Sequence, residues 1–322
     1  MPTPSAAPFL PACFPLPRDE PFTRAQALAS GVGARELTRL CRAGTLRRPV
    51  PGVYLAAEAG DSLLLRAQAL RLVVPPDSVV CDRHAGWLLG AEMALAPGEH
   101  VELRPVSVFR PSGHGRLKRG LADGGERNLR PEDVTVAHGI RVTTALRTAH
   151  DLGRVRNPRV ALPAMDAVAR LGRFDLDQLR RGVDRYRGMR WVSTLRAVAP
   201  LVDPRAESPP ESVLRMECVE LGLGFLEPQV EVREDGRLLG RLDLACAALR
   251  LAVEYDGVEW HSTPEQQEHD RRRRSHLQDV HGWVFVVVRR EHLYGDRRDE
   301  LAPMLLAGLA EARRRAAARI TH

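Results

Sequence analysis

The chain has 322 residues, 44% of them apolar, and a formal charge of +7, which together point to two or three packed domains and a polyanionic partner. The positive charge is almost wholly arginine, since Lys118 is the one lysine; arginine forks match phosphate oxygens, and a coding bias toward Ala, Arg, Gly and Pro is the other source of such a composition. No stretch approaches the length of a membrane span, and the N-terminus lacks the basic start and apolar core of a signal peptide, so a cytoplasmic protein without membrane partners is expected.

Residues 1–20, MPTPSAAPFLPACFPLPRDE, are rich in proline and read as a flexible arm; a docked extended segment anchored by Phe9, Leu10 and Phe14 is the alternative. Residues 21–57 form a compact unit. Thr23 caps a short helix over RAQALAS, Gly31 and Gly33 break it, and a second helix follows over ARELTRLCRAG. Leu37, Leu40 and Cys41 fall at helical spacing on its inner face. Two short strands around Pro-Gly come next. Helix, turn, helix and β-wing is the order of a winged helix-turn-helix. Its second helix would enter a DNA major groove, offering Arg35, Arg39 and Arg42 to phosphates or base edges. Arg47 and Arg48 lie at the wing and suit backbone contacts. Docking of a protein is the other use of such a module.

Residues 58–200 read as a mixed α/β middle region. Helices are expected over DSLLLRAQALRLVV, over CDRHAGWLLGAEM with a cap near Asp82, and over ALRTAHDLGR, ALPAMDAVARLG and DLDQLRRGVDRYRG. HVELRPVSVF and DVTVAHGIRVTT read as strands, separated by a polar, glycine-rich loop. His84, His114, His138 and His150 share no ligand spacing and are expected to be structural. The region is assigned no chemistry; it positions the winged helix or carries the contact of a homodimer.

Residues 201–322 read as the C-terminal domain, opened by the proline-marked linker LVDPRAESPP. Ser208 caps the helix that follows, with Glu211 in its first turn; helix-dipole complementarity is the structural alternative for that acid. Residues 237–261, RLLGRLDLACAALRLAVEYDGVEWH, read as two strands joined by a tight turn. With the turn centred at Ala248–Leu249, Asp243 lies opposite Glu254, and Glu254 and Asp256 share a face by the period of two. Gathered carboxylates suit a hard cation such as Mg²⁺ or Mn²⁺, which can polarise a phosphodiester; three solvated acids near a strand end are the alternative. Thr263 caps a further helix at Pro264. Its four consecutive arginines, 271–274, wrap right round, so at most two reach the acidic edge; Arg271 and Arg274 are taken with the DNA contacts. His261, His269, His276 and His281 fit no common zinc spacing. WVFVVV reads as an inner strand, and a basic helix over roughly 297–319 ends the chain.

The five cysteines are scattered and odd in number, which argues for a reducing compartment and against a disulfide framework or zinc module. No G-x-x-x-x-G-K-S/T or G-x-G-x-x-G element stands between a strand and a helix, so no nucleotide cofactor is expected. No G-x-S-x-G or His/Cys pair suggests acyl transfer.

Two resemblances refine this reading. Residues 21–56, most specifically G-x-L-R-R-x-x-x-G-V-Y, resemble the N-terminal domain of AbiEi-type antitoxins of type IV toxin–antitoxin systems, and the layout of the middle region resembles AbiEi-like proteins. Residues 205–295 resemble the PD-(D/E)XK nucleases, in particular the Vsr branch. The helix 207–223, QVEV, the turn EDGR, RLDLA, LRLAVEYDG, a His after the Gly, an Arg-rich helix and GWVFVVV match in order. The second resemblance implies a restriction-endonuclease-like α/β/α domain. It makes Asp243 and Glu254 ligands of Mg²⁺ or Mn²⁺, and Glu211 an accessory acid. His261 becomes a general base or leaving-group acid, and Asp256 a second-metal ligand or a partner that orients His261. Asp256 stands where the superfamily pattern has lysine. Two functions follow: a metal-dependent DNA endonuclease targeted by the winged helix, or a DNA-binding, antitoxin-like regulator whose nuclease fold is inactive. RNA is a third, weaker substrate, since carboxylate chemistry does not distinguish the sugars.

Overall fold

A computed structural model describes residues 9–95, 106–115, 124–257 and 264–320, with side chains in the helix beginning at 264 described for Glu268 and from Arg271 onward. The fold is mixed α/β with three sheets among the described residues. Internal contacts divide the chain into two units, Met1–Leu152 with Leu171–Arg185, and Gly153–Arg170 with Tyr186–His322.

The first unit begins with β1 (Phe22–Thr23), α1 (Arg24–Ala29), α2 (Ala34–Arg42), β2 (Leu46–Val50) and β3 (Val53–Ala56). Thr23 and Gln26 form a reciprocal capping box that starts α1. Gly52 turns β2 into β3 at a φ of 83°, a conformation open to glycine at no steric cost. The small sheet runs β1-β3-β2, both pairings antiparallel. Two residues suffice for β1, too short to signal itself in the sequence. Leu37 and Leu40 of α2 are buried with Phe22, Ala27, Leu46 and Tyr54. Leu10 is buried in the same cluster and Phe14 and Leu16 pack on it, while Phe9 is 74% exposed. The docked form of the N-terminal arm is therefore the one adopted from residue 10, because three apolar side chains find a core to pack on.

The unit continues with α3 (Leu63–Arg71), β4 (Val79–Val80), α4 (Asp82–Leu88), β5 (Val108–Pro111), β6 (Glu126–Arg127), β7 (Val134–Ala137), β8 (Ile140–Thr143) and α5 (Ala145–Gly153). The strands form one sheet in the order β6-β5-β4-β8-β7. Asp82 does not cap α4. Cys81 holds that position, and Asp82 accepts two hydrogen bonds from Arg127 at 2.6 and 2.9 Å. His150 is buried and donates from Nε2 to the Leu179 carbonyl at 2.9 Å, a structural use; Leu179 lies on α7 (Leu176–Gly182), which belongs to this unit.

The second unit opens with α6 (Pro158–Ala169), followed by α8 (Val192–Val198) and α9 (Pro209–Glu220). Its earlier boundary differs from the linker read at 201–210. Asp166 of α6, 1% exposed, accepts hydrogen bonds from Arg215 of α9 at 2.6 Å and from the Asp203 amide at 2.9 Å. A carboxylate so deeply buried needs those partners, and they draw α6 into the C-terminal unit.

The central sheet of this unit holds β9 (Glu227–Glu234), β10 (Arg237–Cys246), β11 (Leu251–Asp256) and β12 (Val284–Arg289), in the order β12-β11-β10-β9. The first three are antiparallel neighbours; β11 and β12 are parallel, joined across α10 (Pro264–Asp279). Two further helices follow, the short α11 (Arg290–Tyr294) and the long α12 (Leu301–Ile320). Alternation splits the sheet's side chains. Leu251 and Val253 join the core with α9, β12 and α12, while Ala252 packs with Leu277 and Trp283 on the other side. α12 approaches β12 closely at Gly308, where a Cβ would lie 2.2 Å from Val286 Cγ2.

Candidate nucleic-acid interface and carboxylate cluster

Arg35, Arg39 and Arg42 lie at i, i+4 and i+7 along α2, which puts them in one stripe opposite buried Leu37 and Leu40. All three are exposed, as is Arg48 on β2. They are not equally available. Arg39 is bound by Glu36, which accepts from Nε at 2.8 Å and Nη2 at 2.6 Å and is held below its usual pKa by that hydrogen-bonded pair. Arg47 is half-buried and lies 3.4 Å from Asp61. Arg48 sits 5.7 Å from the centroid of the Tyr54 ring, a cation–π contact that leaves its outer edge to solvent.

In the second unit Leu244 pairs with Val253, Ala245 with Ala252 and Cys246 with Leu251. This register continues to Asp243 opposite Glu254, with the turn centred on Ala248–Leu249. Opposite residues of an antiparallel pair share a face, so the two acids converge. Glu254 is 3% exposed. Asp243 Oδ2 accepts the Tyr255 amide at 2.9 Å. Burial, chiefly, pushes the Asp243 carboxyl up to about 7; the Tyr255 amide opposes this, and the charges of Glu211 and Glu254 add to it. Glu211 reaches back over its own helix start: it accepts from Ser208 Oγ at 2.7 Å, the Glu207 amide at 2.9 Å and Gln229 Nε2 at 2.8 Å. It serves as a cap while also raising Asp243.

The positive charge on this cluster comes from α10. Arg273 Nη2 donates to Glu254 Oε1 at 3.2 Å and Arg274 Nε to Oε2 at 2.6 Å. Arg274 Nη1 also lies 3.5 Å from Asp256 Oδ2. Burial works against the charge on Arg274, but Glu254 outweighs it and its pKa is raised. Arg273 Nη1 further donates to the Arg241 carbonyl at 3.0 Å, its stem lying over Gly240. Arg271 points elsewhere, 3.3 Å from Glu268, as does Arg272 at 2.8 Å. Arg273, which the sequence reading did not single out, therefore joins the cluster and Arg271 does not. His261 lies outside the described residues.

A hard divalent cation needs open carboxylate oxygens. Both oxygens of Glu254 are taken by guanidinium groups, and burial favours the neutral form of the Asp243 carboxyl. As arranged, this donor set does not fit Mg²⁺ or Mn²⁺, and no hydrolytic step is derived through either ion. The buried carboxyl has a consequence for stability. A folded pKa raised above the unfolded 3.8 penalises folding above pH 7, and the penalty fades as pH falls through 7 toward 4. Asp243→Asn keeps an acceptor for the Tyr255 amide and removes the charge. It is expected to raise Tm by several degrees at pH 8 and by much less at pH 5, measured by thermal melts; a lower Tm at pH 8 would refute the assignment.

Residues 18–57 match the family model described as "Transcriptional regulator, AbiEi antitoxin". The N-terminal segment is thus similar to the antitoxin-type transcriptional regulators which that model describes. Over 246 residues, 76% of this chain and 86% of the relative, the sequence is 32% identical to "Uncharacterized protein Rv2248" of Mycobacterium tuberculosis strain ATCC 25618 / H37Rv. The same figures hold for "Uncharacterized protein MT2308" of strain CDC 1551 / Oshkosh. The chain belongs to the family of these mycobacterial proteins. Among solved structures, the RV2827C protein of Mycobacterium tuberculosis aligns with 61% of this chain and 75% of its own at 13% identity and a TM-score of 0.34, too low to assign a fold from. No described helix is long and apolar enough to cross a membrane.

Proposed function

We propose that this chain is a DNA-binding, antitoxin-like transcriptional regulator acting in the cytoplasm. Residues 21–57 act as a winged helix on duplex DNA, and the C-terminal domain is a nuclease-type fold without hydrolytic activity. The observation that carries the reading is the exposed arginine stripe on α2, within the segment that matches the regulator model. The stripe supplies the phosphate contacts that hold a recognition helix in register. For the C-terminal domain, the order α9-β9-β10-β11-α10-β12 supports the PD-(D/E)XK likeness, and the guanidinium groups on Glu254 support inactivity. A homodimer would present two such helices to a two-fold operator.

Metal-dependent DNA hydrolysis is the second reading, favoured by the convergence of Asp243 on Glu254. It requires Arg273 and Arg274 to leave Glu254, with Asp256 and His261 completing the site. The first reading is tested by fluorescence anisotropy of a labelled duplex with the full-length protein in EDTA across a salt series. The expected result is binding whose affinity falls steeply and log-linearly with salt; binding that needs a divalent cation would favour the second.

A further inference from the structure

We infer that Glu234, His276 and His281 form a site for a borderline divalent transition-metal ion, with Zn²⁺ the ion that the donor set suits best. Three separate segments supply the ligands: the end of β9, the last turn of α10 and the turn between α10 and β12. One ligand atom from each lies within 4.8 Å of the other two. His281 Nε2 is 3.6 Å from Glu234 Oε1, and the two imidazole rings meet edge-on at 70° with centroids 5.3 Å apart. Zinc bonds nitrogen and oxygen at about 2.0–2.2 Å, so tetrahedral donors stand about 3.3 Å from one another. The remaining closure is within reach of exposed side chains.

A second observation points to a ligand. His281 Nε2 is buried and makes no hydrogen bond, a costly state for an imidazole nitrogen that faces a carboxylate. The backbone behind it is held: Arg250 Nη1 donates to the His281 carbonyl at 2.6 Å, and Val284 N donates to the Arg250 carbonyl at 2.8 Å. The ring therefore projects from an anchored turn. Two imidazoles and one carboxylate favour a borderline ion over Mg²⁺ or Ca²⁺, and three protein ligands leave a fourth position for water. The site is separate from the Asp243–Glu254 cluster. Its bound ion ties the tip of the β9–β10 hairpin to the C-terminal end of α10, the helix whose Arg273 and Arg274 close over Glu254.

The test is a competition titration of the metal-stripped full-length protein with Zn²⁺ against a chromophoric chelator, beside Glu234→Gln, His276→Gln and His281→Gln. Co²⁺ serves as a spectroscopic substitute. The expected result is one ion per chain at micromolar affinity or tighter, tetrahedral cobalt bands, and a loss of about tenfold or more in each variant. Zn²⁺ should raise the Tm of the parent protein and not that of His281→Gln. Asp243→Asn and Glu254→Gln should bind Zn²⁺ as the parent does. Absence of stoichiometric binding, or affinity unchanged in His276→Gln and His281→Gln, would overturn the site. All three variants change exposed or half-buried side chains, and a circular-dichroism spectrum confirms that each is folded.

Discussion

Arg147→Ala is expected to cost the first unit about 3–5 kcal/mol. The side chain, on α5, is 2% exposed. Its Nη1 donates to Asp133 Oδ2 at 2.8 Å and to the Asn128 carbonyl at 3.0 Å, and its Nε donates to Asp151 Oδ2 at 3.0 Å. Arg127 joins the same network through Asp151 at 3.1 Å and Asp82 at 2.6 Å, and Arg185 through Asp133 at 2.6 Å. Truncating Arg147 leaves two buried carboxylates short of the cation between them. Such a loss exceeds the usual range for surface changes and should appear as a large drop in the urea midpoint. Arg147→Lys should rescue little, because one ammonium cannot fork between three acceptors. The pH dependence carries its own sign. Burial pushes Asp133 up, but Arg185, the Arg130 amide and Arg147 outweigh it and hold the carboxyl at about 2, below its ordinary 3.8. A depressed carboxylate gives stability that is complete above the ordinary value and is lost as pH falls through 3.8 toward 2. The parent protein should weaken across that window, and Arg147→Ala should weaken less steeply there. A mutant as stable as the parent would show that the network contributes nothing.

Replacing Arg35, Arg42 and Arg48 together with alanine is expected to lower affinity for duplex DNA about 100-fold at moderate salt. Three lost phosphate contacts should also reduce the slope of log affinity against log salt by about 3. These side chains are exposed, so Tm should hardly move, which separates a binding defect from an unfolding one. Arg39→Ala should cost less, since Glu36 already occupies that guanidinium. Arg47→Ala should cost less for a similar reason, given its neighbour Asp61. Affinity and slope both unchanged in the triple variant would remove α2 from the interface.

Where the structure agrees with a reading of the residues, short-range periodicity is the reason. The pairing of Asp243 with Glu254 follows from the period of two and one turn position, and the Pro51–Gly52 turn follows from glycine's freedom at positive φ. The inner face of α2 follows from Leu37 and Leu40 at helical spacing. The misses come from contacts that no local pattern encodes. Four arginines in a row could not say which pair reaches the acidic edge. That depends on the rotation of α10, set by buried Leu277 and by the space Gly240 leaves for Arg273. Asp166 looked like any helical acid until Arg215, on a helix distant in sequence, reached it. Glu234 is far from His276 and His281 in sequence, so a search of histidine spacings alone could not assemble the three. The two residues of β1 leave no periodic trace at all.

One experiment bears most directly on DNA binding without hydrolysis. A labelled duplex is incubated with the full-length protein in EDTA, in Mg²⁺ and in Mn²⁺, alongside Asp243→Ala and Glu254→Ala, with binding read by anisotropy and strand integrity on a denaturing gel. The expected result is salt-sensitive binding of equal strength in all three buffers and intact DNA throughout. Cutting in Mg²⁺ or Mn²⁺ that both variants abolish would contradict it and make the carboxylate cluster an active site.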